Sequence, residues 1–158
     1  MLPQISRWAL GLLMILFVGE ILTGLVRLQD AEFLWVEAHY LGGRLIVPAT
    51  LAVCGISLAA IIQYALAVRK IVPWFRVLIP LAAFAVVVNT SFTGYLGPSN
   101  GPGLDPDTLL RFRVIHLVAE PTLAAALLVW WWLLLRRLEV RAASIGEPAL
   151  VDPVSSRK

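Results

Sequence analysis

The hydrophobic positions along this chain fall in long runs, without a period of two or of 3.6. Four stretches, about Trp8 to Val26, His39 to Val68, Val77 to Leu96 and Val114 to Leu135, are apolar almost throughout. Each meets the roughly 20 residues that a helix needs to cross the hydrocarbon core of a bilayer. A single apolar stripe would place a helix on a soluble core, whereas an unbroken run means that its outer faces meet lipid. The pattern predicts an all-α membrane protein, a four-transmembrane-helix bundle running up-down-up-down over residues 1–141. Nothing reads as strand, and no internal repeat stands out.

The first span is too long for a removable signal peptide, carries Glu20, and lacks a small-residue cleavage site. Residues 28–38 (LQDAEFLWVEA) are predicted to form a short outer connection, with Phe33, Leu34 and Trp35 at the interface. The second helix can begin inside it. That helix has about 30 candidate residues, or ~45 Å, so it must tilt or project beyond the hydrocarbon. The second outer connection, GPSNGPGLDPDTLL, is rich in helix breakers, and Asp105 or Asp107 is placed to cap the helix that follows. Residues 142–158 have no apolar periodicity and read as a disordered cytoplasmic tail.

Composition agrees with the spans. With 59% hydrophobic and 15% charged residues and a mean hydropathy of +0.84, the chain is too apolar for a soluble domain of its size. The basic balance, pI about 9.5, does not point to nucleic acid, because the cations sit at helix ends. Arg69, Lys70 and Arg76 lie between spans two and three, Arg136, Arg137 and Arg141 follow span four, and Arg7 precedes span one. The other two connections carry Asp30, Glu32, Glu37, Asp105 and Asp107 against Arg27, Arg111 and Arg113. The positive-inside rule then puts both termini in the cytoplasm of a bacterial-type inner membrane. The single cysteine, Cys54, excludes a disulfide framework and covalent haem attachment, and reads as a packing residue.

The chain has two histidines, His39 and His116, each near the outer end of its span. His116 stands about 20 residues, or ~30 Å, from the inner charge Arg136, so the two depths match. One neutral imidazole on each of two facing helices is the arrangement that ligates a non-covalent haem iron from both sides. The alternative is that each histidine sits at the interface and hydrogen-bonds to water or a carbonyl. A haem is a wide flat plate that needs small neighbours: Gly24 and Gly94 lie on the outer halves of helices one and three, and Gly42 and Gly43 follow His39. Arg111 and Arg113, just before His116, are placed to pair with propionates. Singly, such glycines are also helix-packing devices and such arginines interfacial anchors.

These residues carry a resemblance. Ile21-Leu22-Thr23-Gly24-Leu25, His39-Tyr40-Leu41-Gly42-Gly43, Phe92-Thr93-Gly94-Tyr95-Leu96-Gly97-Pro98, and Thr108-Leu109-Leu110-Arg111-Phe112 followed by His116 and Pro121 resemble, in order and spacing, motifs of one family. It is the amino-terminal four-helix half of the cytochrome b family, the haem subunit of cytochrome bc-type quinol-oxidising complexes. The likeness covers residues 5–135. The family holds two stacked haems, with second histidines about four turns further along helices two and four. Here those places are Val53 and Trp130, beside Cys54 and Trp131, and the family's inner glycines correspond to Leu10 and Pro80. The resemblance thus implies one outer haem b with two histidine ligands and no second haem. Trp130, Trp131 and Trp132 are placed to fill the second haem's space or to form an interfacial belt.

Three ionisable residues lie within the spans. Glu120 shares a helical face with His116, Glu20 lies one turn before Gly24, and Arg44 follows His39. The carboxyls read either as a proton relay or quinone contact, or as members of a buried ion pair with Arg44 as partner; Arg44 is equally placed for a propionate. Both readings stay open on the sequence.

The expected function is a mono-haem b-type cytochrome, the electron-transfer subunit of a larger oxidoreductase rather than a catalyst alone. It would pass electrons between the quinone pool and an outward-facing redox subunit, with the haem toward the periplasmic side. The family's carboxyl-terminal quinol-site elements have no counterpart in this sequence, so other membrane subunits and a hetero-oligomer are expected. The alternatives are a haem-free structural anchor and a small transporter using Glu20, Arg44 and Glu120.

Overall fold

The computed structural model describes residues 2–29, 33–68, 73–96 and 105–146. Regular structure among them is entirely helical: α1 (Leu2–Gln29), α2 (Phe33–Val68), α3 (Phe75–Leu96), α4 (Pro106–Val114), a π-helical turn (Ile115–Ala119) and α5 (Glu120–Gly146). Four segments, Leu2–Val26, Leu34–Val68, Arg76–Gly94 and Pro106–Ala143, are long and apolar enough to cross a membrane. This is consistent with an integral membrane protein.

The helices pack as a ring in which α1 and α3 each contact both α2 and α5, while contact across the α2–α5 diagonal is thin. Leu10, Leu13, Phe17, Val53, Ile61, Val87, Leu128, Trp131 and Leu135 fill the interior. The outside is equally apolar, with Leu12, Ile15, Leu22, Leu51, Ile62 and Leu66 all exposed. A surface of that kind, far larger than the patches a water-soluble monomer exposes, has lipid as its natural solvent.

Helix boundaries differ from expectation at three places. The connection read over residues 28–38 is mostly helix, since α1 runs to Gln29 and α2 starts at Phe33. At 36 residues, α2 is about 54 Å long, so it exceeds the hydrocarbon thickness by more than expected. The fourth span begins at Pro106, which brings Thr108 to Arg113 into a helix. Asp105, rather than Asp107, is its cap: Oδ1 accepts from the Thr108 amide at 3.0 Å and Oδ2 from the Thr108 hydroxyl at 2.6 Å. Proline at the first helical position has no amide to orphan, and Asp107 sits in the first turn, where the helix dipole favours an anion. At the far end α5 continues past Arg141 to Gly146, so the start of the expected tail is helical. Residues 147–158 lie outside the described residues.

Half of the bundle is tied by polar groups near the α1 start. Ser6 and Ser57 share a hydrogen bond of 2.5 Å, and the Trp131 indole N–H donates to Ser57 at 3.1 Å. Arg7 Nε lies 2.9 Å from Glu139 Oε2, and the Arg7 guanidinium also rests over the Trp132 ring, 5.6 Å from its centre. Trp132 in turn lies against Gly11, where an added Cβ would sit 3.1 Å from the indole.

Candidate functional site

At the other end the bundle opens. A cavity of about 760 Å³ is lined by both histidines, by Gly24, Gly43 and Gly94, and by apolar side chains including Phe17, Ile46, Val87 and Leu117. That size falls within the roughly 300–1,000 Å³ of small-molecule and cofactor sites. Charged side chains, Glu20, Glu37, Arg44 and Arg113, complete its lining.

His39 on α2 and His116 in the π turn face one another across this space. Their ring centres are 6.4 Å apart and their planes are inclined by 69°. A metal bonded to one nitrogen of each of two opposed imidazoles sets the ring centres about 6 Å apart, from bonds of about 2 Å and about 1 Å between bonded nitrogen and ring centre.

The tautomer of each ring follows from its neighbours. His116 Nδ1 is 3.1 Å from the Thr90 carbonyl oxygen, which can only accept, so Nδ1 carries the proton. His39 Nδ1 is 3.0 Å from Glu20 Oε1, again an acceptor. Two threonine hydroxyls stand beside the same nitrogens, Thr23 by His39 and Thr93 by His116, each at 3.4 Å. With Nδ1–H engaged, a ring that carries no second proton keeps its lone pair on Nε2, the arrangement by which proteins orient metal-binding imidazoles. Among the described residues neither Nε2 has a hydrogen-bond partner. His116 thus does bond a carbonyl, as the simpler reading expects, but through the nitrogen that points away from the free lone pair.

The glycines explain how the rings come so close to the neighbouring helices. A Cβ on Gly24 would stand 3.0 Å from His39 Cε1, and one on Gly94 would stand 2.6 Å from His116 Cε1. Thr23-Gly24 on α1 and Thr93-Gly94 on α3 are therefore equivalent cradles, one residue orienting the imidazole and the next making room for it. The repeated Thr-Gly pair is the signal in the sequence that locates Thr23 and Thr93 as site residues. Gly42 and Gly43 serve a different neighbour: an added Cβ on Gly42 would collide with the Glu20 carboxylate, and one on Gly43 would touch its Oε1. These two glycines admit Glu20 to His39.

His116 owes its position to the wide turn at Ile115–Ala119, where the Glu120 amide bonds back to the Ile115 carbonyl. Pro121 follows, with no N–H to offer and a ring that crowds the preceding turn, which is a physical cause for a π turn at this point. Buried Glu120 sits one turn further on. It accepts from the Asn89 amide and, at 2.6 Å, from the Thr93 hydroxyl, so both its oxygens are bonded to α3.

Among the described residues neither Glu20 nor Glu120 pairs with Arg44, the partner that the ion-pair reading gives them. Arg44 is exposed at the cavity lining, near enough to meet a ligand but not the carboxyls. Of the two arginines before His116, Arg113 lines the cavity and Arg111 does not. No group of three or more His, Cys, Asp or Glu among the described residues is placed to hold a bare metal ion. Comparison with protein-family models, curated proteins and solved structures gave no match for this chain.

Proposed function

We propose that the chain is a mono-haem b-type cytochrome that passes single electrons as the membrane subunit of a larger oxidoreductase. The observation that carries this reading is the pair of opposed imidazoles, each with its Nδ1 proton engaged and its Nε2 lone pair free, 6.4 Å apart in a cofactor-sized cavity. Two imidazoles supply only two ligands, so a metal held between them must bring its others with it, as a porphyrin-bound iron does. A haem held by both His39 and His116 would supply one-electron chemistry and would leave no position for oxygen or substrate.

The chain's own residues divide the remaining work. His39 and His116 bind; Glu20 and Thr23, and Thr90 and Thr93, orient them; Gly24 and Gly94 give clearance; Arg44 and Arg113 supply positive charge for propionates. Of the residues in the places of a second site, Leu10, Val53 and Pro80 are buried, as are Cys54 and Trp131 beside them, while Trp130 is exposed; the buried five support one haem rather than two. The Arg7–Glu139 and Ser6–Ser57 contacts at one end, and the Thr23–His39 and Thr93–His116 contacts at the other, support an up-down-up-down course. Charge at the helix ends supports cytoplasmic termini in a bacterial-type inner membrane, with the haem facing outward. Quinone and an outward-facing redox subunit are then the natural partners in a hetero-oligomer.

The test is the visible spectrum of the purified, dithionite-reduced protein. A sharp alpha band of bis-imidazole haem b is expected, lost in both His39→Ala and His116→Ala. A protein without haem, or a band that persists in both variants, refutes the reading.

A further inference from the structure

Both imidazoles of the cavity are linked through Nδ1 to a carboxylate, by different routes. Glu20 Oε1 stands 3.0 Å from His39 Nδ1 and accepts directly. Glu120, buried at the start of α5, is connected to His116 by way of α3. Asn89 and Thr93 lie four residues apart and so share a face of that helix. The Asn89 amide donates to one oxygen of Glu120, and the Thr93 hydroxyl stands 2.6 Å from the other.

The Thr93 hydroxyl has one hydrogen and two acceptors in reach, the Thr90 carbonyl at 3.0 Å and Glu120 Oε2 at 2.6 Å. The shorter contact, to a carboxylate, is the stronger. With its hydrogen on Glu120, Thr93 keeps its lone pairs for the Nδ1–H of His116, 3.4 Å away, which it shares with the Thr90 carbonyl at 3.1 Å. A continuous line then runs from ring to carboxylate, N–H to hydroxyl oxygen and hydroxyl hydrogen to Oε2, and each bond in such a line polarises the next. From this we infer that Glu120 is a positioning residue for His116, the relayed counterpart of Glu20 at His39: through the Thr93 hydroxyl it holds the proton on Nδ1 and makes the ring more basic. The hydrogen bonds stand by themselves, whereas their consequence rests on the haem reading, because a more basic ligand favours the oxidised state of a bound iron.

Redox titration of the purified full chain tests the consequence, with Glu120→Gln, Thr93→Val and the double variant. Glu120→Gln keeps the size of the side chain and removes its charge. It should retain haem and shift the ratio of reduced to oxidised protein at a given potential about tenfold toward reduced, which is ~59 mV for one electron. Thr93→Val raises the potential less, since the Thr90 carbonyl still accepts, and Thr93→Ser restores the wild-type value. With the line already cut, Glu120→Gln added to Thr93→Val should have much less than its single effect. An unchanged potential in Glu120→Gln, additive shifts in the double variant, or loss of haem in Glu120→Gln each overturns the proposal. Proton NMR of the haem-free chain tests the hydrogen bonds without the cofactor. The Nδ1 proton resonance of His116 should move upfield in Glu120→Gln and in Thr93→Val while that of His39 stays in place, and a His116 resonance that does not move overturns the relay. A wild-type chain that takes up no haem while its variants show these shifts supports the relay and refutes the haem reading, so the two failures are told apart.

Discussion

The two ends of this bundle are built from the same four helices and solve opposite problems. Around His39 and His116 the helices leave a cavity of about 760 Å³, and each imidazole in its lining is hydrogen-bonded through Nδ1. Around Trp131 the same helices close on a fully buried indole, with Leu10, Val53, Cys54 and Ser57 packed at the same level. Polar groups appear at both ends, but their use differs. Ser6, Ser57 and Trp131 satisfy one another, which is what a buried polar group needs in lipid. The histidines engage Nδ1 with protein acceptors, while Nε2 of each has no protein partner among the described residues.

The comparison can be broken first at the glycine cradles. Gly94→Leu, and by the same logic Gly24→Leu, would push an imidazole out of the cavity; a Cβ alone at Gly94 comes within 2.6 Å of His116. Complete loss of the haem absorption band is expected with helicity retained by circular dichroism, and a normal band in Gly94→Leu would contradict the cradle. The tryptophan end should respond in the reverse sense. Trp131→Ala removes a wholly buried ring and leaves Ser57 without its donor, a loss of about 3–5 kcal/mol in unfolding free energy, yet the haem band of the folded fraction stays unchanged. A shifted band there would mean that the two halves are not separate.

Smaller effects sharpen the account of the open half. Glu20→Ala deprives His39 of its acceptor, and haem affinity should fall about 10- to 100-fold, as for other residues that orient a ligand. Glu20→Gln keeps an acceptor and should recover most of that loss while raising the reduction potential, because a neutral amide makes the imidazole less basic. Identical potentials in wild type and Glu20→Gln would remove Glu20 from the site.

Much of the bundle is legible in the sequence, because a run of 20 apolar residues has few fates and two histidines at one depth have few partners. What the sequence hides depends on rotation about a helix axis. Arg111 and Arg113 stand two residues apart, about 200° around a helix, so only one of them can face the cavity; expecting both treats that stretch as a lead-in rather than as helix. The same holds for Trp130, which faces outward, beside Trp131, which is buried. The π turn is hidden because no residue type requires it, although Pro121 is its natural cause. The partners of Glu20 and Glu120 are hidden because a carboxylate accepts from an imidazole, an amide or a hydroxyl as readily as from Arg44, and only the packing selects among them.

The smallest expected effect lies at the exposed cap of α4. Hydrogen bonds from the Thr108 side chain, then from its backbone, hold Asp105 below the ordinary aspartate range. A depressed carboxyl contributes its stabilisation above the unfolded value, near pH 4, and loses it as pH falls through the folded one. The Thr108 amide resonance should therefore titrate with a midpoint below that of a free aspartate. In Asp105→Ala the titration should vanish while haem binding is untouched.

Haem titration of the haem-free chain, followed by electron paramagnetic resonance of the oxidised product, tests the central claim most directly. Saturation at one haem per chain with a low-spin, bis-imidazole signal, converted to high-spin or lost when either His39 or His116 is replaced by alanine, is the result expected here. Saturation at zero or two haems, or a low-spin signal that survives both replacements, would contradict it.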